Sequence, residues 1–168
     1  LTREETNVGF AAGNNIGIQR SLLSGADYVL LLNNDTEVDP SFLTELVKVA
    51  ESDSLIGIVG PKIYHYYCPK KIYSAGGKIN LWTGNAPMIG AGAIDTGGFD
   101  RIKEVDYVTG CAILAKKEAI QKIGFLNEIY FAYYEETEWC VTARKCGYKV
   151  VYVPKAAIWH KIPSSPRK

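Results

Sequence analysis

A short polar run after an apolar segment holds the first side chains of this chain that could do chemistry. Asn33, Asn34 and Asp35 directly follow the apolar run Tyr28–Leu32. A carboxylate such as Asp35 can bind Mg²⁺ or Mn²⁺ together with a substrate phosphate, and the two amides can hydrogen-bond sugar hydroxyls. Asp and Asn are also common in turns, so a solvated turn is the competing interpretation.

A second candidate site is the acidic cluster of Glu135, Glu136 and Glu138. Acidic residues in a first helical turn complement the helix dipole, which explains many such clusters. Helical spacing places Glu136 on one stripe with Trp139, whereas Glu135 and Glu138 lie on another stripe. If the Trp139 stripe lines an acceptor pocket, Glu136 lines it too and can accept a proton from a substrate hydroxyl.

Two further features are less specific. His160 ends an apolar segment, and a lone histidine is more often structural than a ligand; beside Asp35 it would make a good Mn²⁺ or Zn²⁺ ligand. The glycine-rich segment 7–15, which includes Asn14, precedes a predicted helix. It can bind phosphate at that helix N-terminus, although two turn glycines explain it equally well.

Length, charge and cysteine spacing restrict the class of protein. A chain of 168 residues fits one domain, which we place at 1–160, followed by a flexible basic tail at 161–168. The net charge of +1 gives no argument for a nucleic-acid partner. The basic tail is the one segment suited to an anionic membrane surface. The four cysteines include no C-x-x-C pair, so we expect reduced thiols and a cytoplasmic location, with contact at the inner face of the membrane through the tail.

Periodicity and turn residues predict alternating strands and helices. Four helices are expected: over 14–25, from Asp39-Pro40 onward, over Lys117–Ile123 and over 135–146. The second of them has an apolar stripe of Phe42, Leu46, Val49 and Ala50. Strands are expected at Tyr28–Leu32, 56–63 (with an edge or bulge at Pro61), 105–115, 148–153 and 156–160, with a hairpin at 72–82 before a long loop. This alternation indicates an α/β fold with a mainly parallel sheet.

Several motifs, in this order and spacing, resemble the family 2 inverting glycosyltransferases, and in particular their rhamnosyltransferase-like branch. The motifs are NVGFAAGNNIG (7–17), GADYVLLLNNDT (25–36), VDYVTGC (105–111), IGFLNE (123–128), YEETEWC (134–140), GYKV (147–150) and the late His160. The resemblance covers nearly all of residues 7–160.

The resemblance implies a GT-A fold, an α/β/α sandwich, and sugar transfer from a nucleotide donor with inversion. Asn33-Asn34-Asp35 would stand for the family's D-x-D motif, with Asp35 and His160 as ligands of Mn²⁺ or Mg²⁺. Glu136 would stand where the family places its catalytic base. Gly110 and Cys111 would line the floor beneath the sugar, and the loop 90–100, with Asp95, resembles a family segment that lies over the active site.

The implied partners are a UDP-, dTDP- or GDP-sugar donor and a glycan or lipid-linked acceptor; a deoxysugar such as rhamnose is the family-level expectation. Glu136 replaces the family's usual Asp, which leaves the base open between Glu135 and Glu136, and we favour Glu136. The family's opening nucleotide-binding strands are absent, so we expect a fragment that is inactive alone. The alternatives are a sugar-nucleotide pyrophosphorylase and a non-catalytic carbohydrate-binding domain.

Overall fold

The computed structural model describes residues 7–161. Within this range, the four helices are α1 (Phe10–Leu23), α2 (Phe42–Glu51), α3 (Lys117–Ile123) and α4 (Glu135–Lys145). The seven strands of the same range are β1 (Tyr28–Leu32), β2 (Thr36–Val38), β3 (Ile56–His65), β4 (Cys68–Ser74), β5 (Lys103–Glu104), β6 (Ala112–Lys116) and β7 (Lys149–His160). No helix of the described range is long and apolar enough to cross a membrane.

The strands form one mixed sheet in the order β1-β6-β3-β7-β2, with β4 paired to β3 and β5 paired to β7. Among the strand pairs of residues 7–161, β3–β7 is parallel and every other pair is antiparallel. The prediction of a mainly parallel sheet is therefore wrong. It assumed a helical crossover between neighbouring strands, but the chain between β4 and β6 returns to the sheet without a helix.

Strand β7 runs through a proline that was expected to divide it. The prediction had two strands that end and restart around Pro154, whereas the structure has one twelve-residue strand. Its register against β3 shifts there, since Pro61 is opposite Val153 and Lys62 is opposite Ala157. Pro154 thus lies in a bulge, where the sheet requires no N–H donor from it. The bulge predicted at Pro61 is confirmed.

Helices cover both faces of the sheet. Alternate residues of one strand point to opposite faces, so Ile58 belongs to one apolar cluster and Val59 to the other. The first cluster includes Ile18 of α1 and Trp139 of α4. The second contains the predicted α2 stripe, with all four members buried: Phe42, Leu46, Val49 and Ala50. The result is a three-layer α/β/α arrangement.

Helix starts differ from their predicted positions by a few residues. Helix α2 begins at Phe42 rather than at Asp39-Pro40, because the Asp39 carboxylate accepts hydrogen bonds from the backbone N–H and the hydroxyl of Ser41 in a turn. Helix α1 begins at Phe10, four residues before Asn14, and continues through Gly13. Helix α3 has the predicted bounds, and α4 ends one residue earlier than predicted.

The glycine-rich stretch after β4 is largely without regular structure, as predicted. The hairpin predicted at 72–82 is wrong in position: β4 pairs back onto β3, and the tight turn lies between Asn80 and Asn85. The stretch is attached to β3 through Lys62, whose ammonium contacts Asp95 at 2.8 Å and Asp100 at 2.5 Å. Tyr64 of β3 also donates its hydroxyl to Asp95 at 2.6 Å.

We predict that Asp95→Asn lowers the free energy of unfolding by roughly 2–3 kcal/mol near neutral pH, because Lys62 is only 4% exposed and would keep a poorly compensated charge. Asp100→Asn is the matched control and should lower it by less than about 1 kcal/mol, since Asp100 is 62% exposed. Denaturant melts of both variants and the wild type measure this. Equal losses would contradict the assignment of Asp95 as the main anchor.

The same anchor predicts a pH dependence. Burial acts to raise the pKa of Asp95, but hydrogen bonds from Lys62 and Tyr64 outweigh it and lower that pKa to about 2. A carboxyl with a depressed folded-state pKa stabilises above its unfolded pKa, and this contribution disappears as pH falls towards about 2. The wild type should therefore lose more stability than Asp95→Asn between about pH 5 and pH 2.

Candidate functional site

The pairing of β2 with the end of β7 brings Asp35 to His160. Thr36 is directly opposite His160 in the ladder, and the Lys161 N–H donates to the Asp35 carbonyl at 2.9 Å. The His160 Nε2 atom is 3.0 Å from Asp35 Oδ1, although the two residues are 125 positions apart in the chain. The structure thus places together the two residues that were predicted as metal ligands.

The Asp35–His160 pair has the donor set of a divalent cation site. Imidazole nitrogen and carboxylate oxygen are both donors that divalent transition metals accept, and the 3.0 Å contact itself is an ordinary hydrogen-bond distance. His160 is buried, whereas half of the Asp35 side chain is exposed. Within residues 7–161, no cluster of three or more His, Cys, Asp or Glu residues could hold a metal.

The acidic cluster lies at the first turn of α4. Glu136 Oε1 accepts a hydrogen bond from the Gly110 N–H at 3.4 Å. Glu135 is only 4% exposed. Burial raises the pKa of the Glu135 carboxyl; its own backbone N–H acts to lower that pKa, and the neighbouring Glu136 acts to raise it. Two carboxylates thus occupy adjacent positions in the chain, and the one on Glu136 contacts Gly110.

One cavity of about 770 Å³ connects these groups. Its lining brings together seven of the predicted site residues: Asn33, Asp35, Gly110, Cys111, Glu135, Glu136 and His160. The Cys111 thiol lines the cavity together with Asp35 and His160. Burial, and then the charge of Asp35, raises the pKa of Cys111 to about 12, so the thiol stays protonated.

Four predicted residues do not line this cavity. Trp139 is 1% exposed and donates its indole N–H to the Gly124 carbonyl at 2.8 Å, so it is a core residue and its prediction as a pocket residue is wrong. Asp95 lines a separate cavity of about 310 Å³ with its partner Lys62. The Asn14 amide donates to the Phe10 carbonyl within α1, and Asn34 is exposed outside the lining.

Sequence reasoning missed several cavity residues, most of them aromatic or hydroxylic. The lining also contains Phe10, Tyr73, Ala86, Met88, Tyr107, Thr109, Ala132, Tyr133, Tyr134 and Thr137. One signal in the sequence could have found some of them. The aromatic run that includes Tyr133 and Tyr134 directly precedes the acidic cluster, so large aromatic side chains and candidate catalytic groups are neighbours in the sequence.

Unpaired polar atoms concentrate in the residues of this cavity. Among residues 7–161, the buried side-chain oxygen and nitrogen atoms without a hydrogen-bond partner are Thr109 Oγ1, Glu135 Oε2, Glu136 Oε2 and His160 Nδ1. All four belong to residues that line the cavity. Buried polar atoms are usually paired, so such a concentration indicates a site whose partners arrive with a ligand.

The cavity rim also contains unusual backbone. Tyr133 and Tyr134 have φ values of 72° and 74°, and they are the only non-glycine residues of the described range in this left-handed region. Their side chains are 80% and 61% exposed. Strained backbone of this kind clusters at functional sites.

The fold is that of a GT-A nucleotide-sugar transferase. The crystal structure of GalNAc-T7 with UDP, GalNAc and Mn²⁺ superposes with a TM-score of 0.76 over 96% of this chain and 32% of that one, at 17% sequence identity. This likeness shows the fold alone. The chain belongs to the family described as "Glycosyltransferase like family 2", whose family model matches residues 2–168.

Two characterised relatives have names that describe sugar transfer. The "Low-salt glycan biosynthesis hexosyltransferase Agl10" of Haloferax volcanii is 31% identical over 83% of this chain and 44% of its own length. The "dTDP-rhamnosyl transferase RfbF" of Shigella flexneri is 26% identical over 93% of this chain and 50% of its own length. The chain thus spans about half the length of these relatives.

We predict that Glu135→Gln raises the free energy of unfolding at pH 8 by about 1 kcal/mol, because it removes a poorly paired, buried carboxylate. A carboxyl whose folded-state pKa is raised destabilises the fold above that pKa and ceases to do so below its unfolded pKa. The gain should therefore vanish by about pH 4.

Glu138→Gln is the matched control on the same helical turn. Glu138 accepts a hydrogen bond from the Thr142 hydroxyl at 3.0 Å, so its replacement should not stabilise the protein at either pH. Thermal melts at pH 8 and pH 4 measure both variants. A loss of stability in Glu135→Gln at pH 8 would contradict the prediction.

Proposed function

We propose that the protein carrying this chain transfers a sugar from a nucleoside-diphosphate donor to a hydroxyl of a glycan or lipid-linked acceptor, with inversion at the anomeric carbon. One observation carries the proposal: the Asp35–His160 pair and the Glu136 carboxylate line the same cavity. The pair suits a cation-bound diphosphate, and the carboxylate suits a hydroxyl that must lose a proton.

Asp35 and His160 would hold a divalent cation, Mn²⁺ or Mg²⁺, with Oδ1 and Nε2 as ligands. When bound, the cation offsets the negative charge that develops on the departing diphosphate. Asp35 supplies the charge that attracts the ion, and the β2–β7 ladder fixes its backbone next to His160. The solved neighbour with UDP and Mn²⁺ supports this assignment at the level of the fold.

Glu136 would act as the base. The Gly110 N–H donates to one of its carboxylate oxygens, and the other oxygen has no hydrogen-bond partner among residues 7–161. An acceptor hydroxyl placed beside the free oxygen can pass its proton to Glu136 as it attacks the anomeric carbon from the face opposite the diphosphate. Gly110 and Cys111 would form the floor beneath the donor sugar, and Asn33 would bind its hydroxyls.

The relatives support a hexose or deoxyhexose donor, since one is named a hexosyltransferase and another a dTDP-rhamnosyl transferase. UDP, dTDP and GDP all carry the diphosphate that a cation at Asp35 and His160 would bind, so all three remain candidate donors. The family assignment favours sugar transfer over the pyrophosphorylase alternative, and Glu136 has a role only in transfer. The cytoplasmic location remains a prediction from the cysteine pattern.

We predict that Glu136→Gln lowers kcat for sugar transfer by about 10²–10⁴-fold, the usual contribution of general-base catalysis. Donor binding should stay within about twofold, because the amide keeps the size of the side chain and its contact with Gly110. Glu138→Gln, which does not line the cavity, should leave kcat unchanged. Full activity of Glu136→Gln in the whole protein would refute the assignment of Glu136 as the base.

We predict that Asp35→Asn weakens Mn²⁺ binding at least about tenfold, because it removes the anionic ligand of the pair. Asp27→Asn is the control, since Asp27 is also exposed but does not line the cavity. Electron paramagnetic resonance of free Mn²⁺ in a titration of each variant with nucleotide measures the affinity. Unchanged affinity in Asp35→Asn would place the metal elsewhere.

A further inference from the structure

We propose that Tyr133 and Tyr134 form a platform that binds a pyranose ring of the acceptor glycan and presents its hydroxyl to Glu136. This inference rests on the proposed transfer reaction and names the subsite for its acceptor. It depends on three observations: the exposure of the two rings at the cavity, the conformation of their backbone and their position directly before the acidic cluster.

The two side chains lie at the rim of the cavity and still face solvent. Both residues belong to its lining, yet the side chains are 80% and 61% exposed. Most of the surface of each residue is therefore left uncovered by residues 7–161. Packing in the free protein does not explain why large aromatic residues occupy these positions.

The backbone shows that other residues would suit these positions better. Left-handed φ values of 72° and 74° place Cβ close to backbone oxygen, a cost that glycine avoids. Tyr134 is also the N-cap residue of α4 and makes no side-chain capping bond, although N-cap positions favour small polar residues or glycine. Two tyrosines in such places indicate that their rings serve a function outside folding.

Contacts on both sides hold this segment in place. The Phe131 carbonyl accepts a hydrogen bond from the Phe10 N–H at 2.8 Å, and the Tyr134 carbonyl accepts one from the Glu138 N–H at 2.9 Å. A Cβ at Gly9 would lie 2.7 Å from the Phe131 oxygen, so only glycine permits this close approach of α1. The platform is thus fixed by its backbone rather than by its exposed rings.

The chemistry of the platform fits a sugar ring. A pyranose presents C–H groups on its faces and hydroxyls around its edge, and a tyrosine offers an apolar ring surface with a polar hydroxyl at its end. The donor's diphosphate would bind at Asp35 and His160, so the acceptor needs another part of the same cavity, and Tyr133 and Tyr134 line it. Tyr134 precedes Glu136 by two positions and both residues line the cavity, so a sugar on the two rings would share that cavity with the proposed base.

The experiment measures binding of sugar probes directly, by titration of the labelled protein in NMR. The free-sugar probes are methyl glycosides of glucose, galactose, rhamnose and N-acetylglucosamine, and the lipid-linked probes are the corresponding decyl glycosides. We expect the wild type to bind at least one methyl glycoside. Tyr133→Ala and Tyr134→Ala should each raise its Kd by about three- to tenfold, the scale of one aromatic contact.

Matched variants separate the platform from a general effect on folding. Tyr133→Phe and Tyr134→Phe should keep binding within about threefold, because the ring remains. Tyr67→Ala should have no effect, since Tyr67 is 63% exposed but lies outside the cavity lining. Tyr134→Gly should weaken binding and yet raise the melting temperature by about 2 °C, because it relieves the left-handed strain. Tyr130→Gly, at a residue without positive φ, should lower the melting temperature.

Several results would overturn the platform. These are unchanged affinity in both alanine variants, no binding of any methyl glycoside to the wild type, or a lower melting temperature in Tyr134→Gly. If the decyl glycosides bind more tightly than the methyl glycosides and only this gain is lost in the alanine variants, the rings bind lipid rather than sugar, which also overturns it.

The test is independent of the proposed reaction. Tyrosine-dependent glycoside binding in a protein that transfers no sugar would end the proposed function and keep the platform. If the protein transfers sugar and neither alanine substitution changes the KM for the acceptor, the proposed function stands and the platform is refuted.

Discussion

The pairing of β7 with its neighbours is the constraint on which the rest of the structure depends. This strand holds β3 in parallel and β2 in antiparallel register, and its last residue, His160, contacts Asp35. The ladder between β2 and β7 is only three residues long, yet it fixes the position of the candidate cation ligands. A one-residue slip in that ladder would turn these side chains to the opposite face.

The stability of the fold and the chemistry of the site are located in different parts of the molecule. Two apolar clusters, one on each face of the sheet, supply the core. The unfavourable features collect at the cavity: unpaired buried polar atoms in Glu135 and Glu136, and left-handed backbone at Tyr133 and Tyr134. This division is expected when a rigid core supports a site that is completed by its ligands.

Local sequence patterns predicted most of the helices and strands. Features that depend on contacts between distant residues were not predictable in this way. The stripe of α2 and the bounds of α3 follow from periodicity and from Gly124, but strand direction depends on connections that no local pattern contains. We predicted that Glu136 lines the cavity because it shares a helical stripe with Trp139. The position is correct but the reason is not: Trp139 is buried in the core, and the first turn of α4 brings Glu136 to Gly110. The proximity of Asp35 and His160 was expected from the family resemblance and not from the residues themselves. The aromatic run before the acidic cluster is visible in the sequence, but the left-handed backbone at Tyr133 and Tyr134 has no signature in residue type.

The most direct test of the central claim is whether bound Mn²⁺ lies in the cavity that Glu136 lines. Paramagnetic broadening of backbone amide signals in the nitrogen-15-labelled protein measures this, with nucleoside diphosphate present. The account predicts that Mn²⁺ broadens the signals of Asp35, Gly110 and Glu136, while those of Asp95 and Asp100 in the smaller cavity stay sharp. Broadening confined to Asp95 and Asp100, with sharp signals around Gly110, would contradict it.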